Sequence, residues 1–332
     1  MKVSTSRTAL FTELQTVTRA ASTRSAVQAL SGVQLQAKGG AIELRATDME
    51  IGLRVPLQGE VVRDGAVVLP ARLLVDVVRA LPGDSVSLEL RASEQDVEIV
   101  AGSATFHIRT LRLEDFPRFP EPEGDGRVEV PGPAFVETVL KVARSASRDE
   151  TRPVLTGILV SAAESDLRMV ATDSYRLSVK ETKLEAPLQG SFEANVPARA
   201  LQELTRIVQT TEAESLSVSV RTNQVIFEAG GVVLSSRLID GQFPNYRQLL
   251  PDAYEHELRL PSEEMLEVVR RVSLLAQRLT EPFRVLADGG NHHRLARGQS
   301  LGDEGREAVG VVGAAMPEER LVSIALFSPR RR

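Results

Sequence analysis

The chain repeats its own pattern, and this internal repeat limits the possible folds more than any other sequence feature. Matching segments occur in the same order in the first and second parts of the chain, which indicates a duplicated structural unit. A weaker third start is visible where Leu260-Pro261 resembles Val130-Pro131. Three repeats therefore begin near residues 1, 128 and 258. The matching pairs are residues 21–37 with 146–162, 46–48 with 171–173, and 68–72 with 195–199.

Each complete repeat has the same predicted order of elements: a helix, strands, a second helix and further strands. In the second repeat, Phe135 and Val139 recur at helical spacing, whereas residues 33–37 of the first repeat alternate between apolar and polar as a strand does. A proline, Pro70 or Pro197, precedes each second helix. Runs of antiparallel strands with few helices predict an α+β fold, with two helices packed on antiparallel sheets in each unit.

Composition excludes several classes of chemistry. The chain has no Cys and four His, so disulfides, thiolate metal sites and a Cys nucleophile are ruled out, and few metal ligands remain. No phosphate-binding glycine motif or zinc-protease motif occurs, and the one G-x-S-x-G, at residues 298–302, lacks a preceding apolar strand. Asp48 and Asp173 are interpreted as strand-end residues that bond nearby backbone N–H groups. We expect no catalytic residue, metal or cofactor.

The distribution of charge suggests a binding surface. The net charge is −5, but the predicted helices and the turns after them carry more basic than acidic side chains. Basic groups gathered on one type of element can hold a phosphate backbone without reading its sequence. The chain has no apolar run of membrane-spanning length and no apolar signal segment at its start, so we expect a cytoplasmic location and no membrane.

Four motifs together resemble the bacterial DNA sliding clamp, DNA polymerase III subunit beta. The resemblance extends over residues 1 to about 278, and the motifs are residues 68–72, 152–157, 171–178 and 240–247. It implies repeated clamp domains at 1–122, 128–250 and 257–332, in a head-to-tail homodimer ring with helices lining the hole. The implied function is that of a non-catalytic processivity clamp. Such a clamp encircles double-stranded DNA without sequence preference and tethers the DNA polymerase III alpha subunit, the clamp loader and other proteins with a clamp-binding motif.

The resemblance also implies three sets of site residues. The first set would face DNA, the second would form an apolar partner-peptide pocket between the second and third domains, and the third would form the dimer interface. The predicted DNA-binding residues are Arg24, Arg72, Arg148, Arg152 and Arg199. The predicted pocket residues are Leu155, Thr172, Ser174, Tyr175, Arg176, Leu177, Pro244 and Leu249, and the predicted interface residues are Phe106, Ile108, Leu274 and Leu275.

The likeness fades after Arg278, where clean strand alternation and a second helix signal are missing. We therefore expect a third domain that is incomplete or divergent beyond about residue 278. The alternative to a working clamp is a truncated or divergent clamp-like protein that cannot close a ring. Two further alternatives are a nucleic-acid enzyme that depends on Asp48 or Asp173, and a β-rich interaction protein that does not bind DNA.

Overall fold

A computed structural model describes residues 1–119, 127–250, 256–276, 284–287, 293–296, 312–314 and 321–326 of the 332-residue chain. They fall into two compact units. The first unit comprises Met1–Asp173 and Ser178–Phe243, and the second comprises Ser174–Leu177 and Pro244–Arg332. None of the helices among the described residues is long and apolar enough to cross a membrane.

The first repeat contains two helices and nine strands within residues 1–119. Ser6 caps the first helix by accepting the N–H of Ala9 at 3.4 Å, as serine often does at this position. The helices are α1 (Arg7–Val17) and α2 (Ala71–Ala80). The strands are β1 (Lys2–Ser6), β2 (Gly32–Lys38), β3 (Ala41–Thr47), β4 (Ile51–Leu57), β5 (Gly59–Arg63), β6 (Gly65–Pro70), β7 (Ser85–Arg91), β8 (Asp96–Ala101) and β9 (Ala104–Arg109).

The second repeat follows the same order within residues 127–243, with four strands between its helices where the first repeat has five. Helices and strands alternate as predicted, but in both repeats a strand also precedes the first helix, which the predicted order lacked. A short hairpin through Gly39 and Gly40 joins β2 to β3 in the first repeat, and both glycines have positive φ angles. The helices of the second repeat are α3 (Gly132–Val142) and α4 (Ala198–Thr211). Its strands are β10 (Arg127–Pro131), β11 (Gly157–Ala163), β12 (Asp166–Thr172), β13 (Leu177–Lys183), β14 (Phe192–Pro197), β15 (Ser215–Val220), β16 (Gln224–Ala229) and β17 (Val232–Arg237).

A repeated glycine explains part of the sequence match. Gly32 begins β2 opposite Pro70, and Gly157 begins β11 opposite Pro197, so each pairs with the proline that precedes the second helix of its repeat. A Cβ atom on Gly157 would lie 2.1 Å from the Asn195 side-chain oxygen, closer than van der Waals contact allows. Glycine at these positions lets the strand approach the segment that leads into the helix.

One eight-stranded sheet joins the two repeats. Its strand order is β10-β15-β16-β17-β4-β3-β2-β6, and the antiparallel pairing of β17 with β4 places Leu234 opposite Leu53. Each repeat also has a sheet of its own, in the orders β5-β1-β7-β8-β9 and β13-β12-β11-β14. The first two predicted domains thus share one compact unit. The predicted boundary, residues 123–127, falls mostly within residues 120–126, which lie outside the described residues.

Each pair of helices packs on the sheets of its repeat and buries an apolar face. Leu10 and Leu14 of α1 are completely buried, and the ring of Phe135 on α3 meets that of Phe227 on β16 edge-on, with 6.0 Å between centroids. Edge-to-face contact is a favoured geometry for two aromatic rings. The opposite helix faces stay in solvent, as the exposed Leu140 on α3 shows.

The second unit contains a strand, a helix and further short strands. The helix begins directly after Leu260-Pro261, the start of the third repeat, and its Arg271 pairs with Glu267 one turn earlier at 2.6 Å. Beyond residue 278, where the resemblance fades, the described residues form four strands. The elements are β18 (His256–Pro261), α5 (Ser262–Ala276), β19 (Arg284–Ala287), β20 (His293–Ala296), β21 (Val312–Ala314) and β22 (Leu321–Leu326). The G-x-S-x-G at residues 298–302 lies outside the described residues.

We predict that Phe135→Ala destabilises the first unit by about 3–5 kcal/mol, because it leaves a cavity beneath α3. The matched change Leu140→Ala on the solvent face of the same helix should cost about 0.5 kcal/mol or less. Urea unfolding followed by circular dichroism measures both free energies. Equal losses for the two variants would contradict the placement of α3.

Candidate functional site

The five arginines predicted to face DNA occupy loops and helix starts of the first unit. Arg72 and Arg199 are the second residues of α2 and α4, so the two repeats place them equivalently. Arg24 lies in the loop after α1, and Arg148 and Arg152 lie in the loop after α3. All five side chains are exposed. Helix starts and the loops after the helices thus carry the cations, as the charge distribution suggested.

A cleft of about 860 Å³ in the first unit brings two of these arginines together. Arg148 and Arg199 line it with two more arginines, Arg144 and Arg237. Sequence reasoning assigned Arg144 to the basic helices but missed Arg237. That arginine ends strand β17, and no periodicity of the sequence connects a strand end of the second repeat with a loop near residue 148.

The predicted cations differ in their electrostatic surroundings. Arg199 pairs with Asp48 at 2.7 Å, and the Arg152 side chain donates a hydrogen bond to Asp149 at 3.0 Å. Within the described residues, Arg24, Arg72 and Arg148 form no ion pair. These three keep an uncompensated charge toward solvent, which is the property that attraction to phosphates requires.

Local hydrogen bonds shape the loop after α3. The Thr151 hydroxyl and N–H donate to Asp149, and with the Arg152 guanidinium they lower the pKa of Asp149 below its usual value. The carboxylate therefore stays ionised and continues to orient the loop. Arg148 precedes it, and no acidic side chain of the described residues pairs with Arg148.

Asp48 behaves as the sequence predicted. Its carboxylate accepts the N–H groups of Glu50 and Ile51 at 3.0 and 2.8 Å, which closes the turn between β3 and β4. This local bonding is the usual use of an aspartate at a strand end.

The predicted partner-peptide residues divide between the two units. In the first unit, Leu155 is buried in a 3-10 turn (Pro153–Thr156), and Thr172 is buried at the end of β12. Two backbone hydrogen bonds also hold Leu155 in its own repeat: its N–H donates to the Arg152 carbonyl, and its carbonyl accepts from the Ser147 N–H. The burial and these bonds together indicate a structural role.

In the second unit, the segment Ser174–Leu177 presents polar and aromatic groups to solvent. Ser174 has a φ of 76°, in the left-handed region that is uncommon for serine, and Tyr175 is 92% exposed. Arg176 is exposed too, and Leu177 begins β13. Pro244 is exposed ahead of a 3-10 turn (Tyr246–Leu249) that includes Leu249.

The predicted interface residues lie on an edge strand and on α5. Strand β9 is at the edge of its five-stranded sheet, and Phe106 on it is 37% exposed. Ile108 is only 2% exposed and belongs to the core of its own unit. Its side chain is therefore buried, whereas the prediction needs it on the surface. Leu274 is 69% exposed, and the side chain of Leu275 lies outside the described residues.

A small cavity of about 200 Å³ lies between α1 and α4, and Glu13 lines it together with Arg19, Glu203 and Arg206. Burial raises the pKa of Glu13 above its ordinary value of 4.5. The folded chain therefore holds this proton more tightly than the unfolded chain does. Ionising Glu13 costs stability as the pH rises through its folded pKa, and the cost fades as the pH falls below the unfolded value, because both states then bind the proton.

We predict that Glu13→Gln raises the melting temperature at pH 7, because glutamine removes the partly buried charge. The gain should shrink at pH 4, where Glu13 is mostly protonated in both states. Differential scanning calorimetry at the two pH values measures it, with Glu60→Gln on the exposed strand β5 as the control. A gain that is the same at both pH values would contradict this role of Glu13.

Comparison with known proteins assigns the fold and the family. The model for the DNA polymerase III beta subunit, N-terminal domain, matches residues 1–120, and the model for the central domain matches residues 129–245. The Beta sliding clamp of Synechococcus elongatus is 31% identical over 93% of this chain and 84% of its own length. That of Staphylococcus aureus is 31% identical over 83% of this chain and 75% of its own length.

Solved structures agree. The sliding clamp of Bacillus subtilis superposes with a TM-score of 0.82 at 25% identity, over 99% of this chain and 84% of its own. The Caulobacter crescentus pol III beta gives 0.75 at 29% identity, over 83% of this chain and 76% of its own. The fold is therefore that of α+β DNA clamps, as predicted. The chain belongs to the DNA polymerase III beta subunit family, the beta sliding clamps, and its role is that of a non-catalytic processivity clamp.

Proposed function

We propose that this chain encircles duplex DNA as a homodimeric ring in the bacterial cytoplasm and tethers the DNA polymerase III alpha subunit and the clamp loader. The observation that carries the proposal is the set of exposed arginines at helix starts and loops of a protein with net charge −5. A ring is retained by topology, so its contacts with DNA can be weak and independent of sequence. Local positive charge on an acidic protein satisfies that need without general adhesion to nucleic acid.

Arg24, Arg72, Arg148 and Arg152 are the proposed phosphate contacts. All four are exposed, and the first three have no ion pair within the described residues. Arg152 can reach phosphate only with part of its guanidinium, because one N–H is bonded to Asp149. We expect its contribution to be smaller. The fifth predicted contact, Arg199, is already bound to Asp48.

We predict that Arg24→Ala with Arg148→Ala weakens DNA binding and lowers the salt dependence of the binding constant. Each lost phosphate contact should reduce the slope of log K against log salt by about 1. Fluorescence anisotropy with a labelled duplex, measured across a salt series, gives the slope. Lys38→Ala, on the hairpin end of β2, is the control and should leave the slope unchanged. An unchanged slope in the double variant would count against the DNA surface.

The exposed segment Ser174–Arg176 is the proposed contact for partner peptides. A tyrosine that is 92% exposed is accessible to a partner, and aromatic and arginine side chains dominate the energy of protein interfaces. Short linear peptides of the polymerase alpha subunit, the clamp loader and other proteins with a clamp-binding motif are the proposed partners. The roles of Leu155, Thr172, Leu177, Pro244 and Leu249 in this binding stay predictions.

We predict that Tyr175→Ala weakens binding of an alpha-subunit peptide by about tenfold or more, as loss of an interface anchor does. Its melting temperature should equal that of the wild type, because the side chain is in solvent. Isothermal titration calorimetry measures the affinity. Val62→Ala on strand β5, which also removes an exposed side chain, should bind normally. Wild-type affinity in the tyrosine variant would exclude this segment as the peptide site.

The second candidate function is that of a clamp-like protein that cannot close a ring. The observation that favours it is the loss of the family pattern after Arg278. Ring closure predicts a dimer in analytical ultracentrifugation at micromolar concentration, and retention on nicked circular DNA with release when the circle is cut. A monomer that is never retained on the circle would establish the second candidate.

A further inference from the structure

The turn between β3 and β4 fixes a carboxylate at the junction of the two repeats. Asp48 uses Oδ1 to accept from Glu50 and Ile51, while the Thr47 hydroxyl donates to the Ile51 carbonyl at 2.8 Å. Met49, between them, has a φ of 78°. The Asp48 side chain is only 13% exposed. Its second oxygen, Oδ2, therefore has a fixed direction and remains available for a partner.

Arg199 of the other repeat is that partner. Its Nη1 donates to Asp48 Oδ2 at 2.7 Å, and its Nη2 donates to the carbonyl of Arg19 at 3.3 Å. One guanidinium from the start of α4 thus holds two points of the first repeat. A cation in the first turn of a helix faces the positive end of the helix dipole, which is unfavourable. The carboxylate of Asp48 offsets that cost and orients the side chain.

These contacts lie beside the sheet seam. Ser236 of β17 pairs with Ile51 of β4, and the Arg237 N–H donates to the Glu50 carbonyl at 2.9 Å. The α4 side of the junction also has a charge contact, Arg19 to Glu203 at 3.6 Å. The pairing of β17 with β4 joins the two halves of the sheet, and Arg199 links the start of α4 to the turn that precedes β4. The start of α4 is therefore held in a fixed direction relative to the first repeat.

We propose that Arg199 is a positioning residue that fixes α4 to the first repeat through Asp48, and that it is not a phosphate contact. Asp48 and the Arg19 carbonyl already hold two of its N–H groups, and the carboxylate compensates its charge, so a phosphate gains less from Arg199 than from Arg72. The statement that Arg199 is not a phosphate contact rests on the proposed DNA surface. The statement that Arg199 positions α4 does not, because the bond to Asp48 forms without DNA.

Arg72 provides a control within the same chain. It is the second residue of α2, as Arg199 is of α4, and both follow the same Pro-Ala pair. Within the described residues Arg72 has no ion pair. The two arginines therefore share type, helix position and exposure, and differ in the carboxylate partner.

The stability test uses Arg199→Ala, Asp48→Asn and the double variant in the whole 332-residue chain. Asparagine keeps the oxygen that accepts from Glu50 and Ile51, so the turn survives. Its NH2 group replaces the oxygen that accepts from Arg199, so the charge and that hydrogen bond are both lost. We expect each single variant to lower the melting temperature. The double variant should melt no lower than the less stable of the two single variants, because both substitutions remove the same interaction. Arg72→Ala should melt as the wild type does. Additive losses in the double variant would overturn the proposal.

The DNA test measures the salt slope of binding to a labelled duplex for the same variants. We expect Arg72→Ala to lower the slope by about 1, Arg199→Ala to lower it much less, and Asp48→Asn to raise it by releasing Arg199. Equal reductions for the two arginines would overturn the proposal. If neither arginine affects the slope, the DNA surface is wrong, and the melting temperatures alone decide whether Arg199 positions α4.

Discussion

The pairing of β4 with β17 is the interaction on which the first unit depends. Without this pairing, each strand would be the edge of its half of the sheet, with unpaired N–H and C=O groups. Such an edge costs free energy when it is buried and pairs with other chains when it is exposed. Because the ladder joins the halves, the apolar faces of both repeats cover one continuous sheet. The turn at Asp48 and the start of α4 are brought together by that ladder, and so are the arginines of the 860 Å³ cleft.

The scaffold and the proposed DNA-binding groups have opposite physical characters. Leucines, valines and phenylalanines of the helices are buried against the sheets, whereas the cations lie on loops and helix starts where solvent reaches them. A rigid support with weak, exposed charges suits a protein that must hold DNA and still move along it. Strong or sequence-specific contacts would stop the movement, and a ring does not need them.

Much of the fold could be predicted, because a repeated pattern of apolar periods leaves few architectures. The hairpin at Gly39-Gly40, the helices after Pro70 and Pro197, and the capping role of Asp48 all follow from local chemistry. The burial of Ile108 did not follow, since alternation on an edge strand does not say which residues the next layer covers. Arg237 was missed for a related reason: its cleft is formed by segments that are distant in sequence.

The sequence by itself determined the duplicated α+β unit, the positions of its helices and strands, and the family, because these depend on short-range patterns and on motifs. Only the tertiary structure decided which cations have a carboxylate partner. Arg72 and Arg199 are indistinguishable in the repeat, yet one has no ion pair among the described residues and the other is bound to Asp48. Residues 48 and 199 meet only because the sheet ladder brings the two repeats side by side. The charge that an arginine presents depends on such neighbours, and a one-dimensional pattern does not contain them.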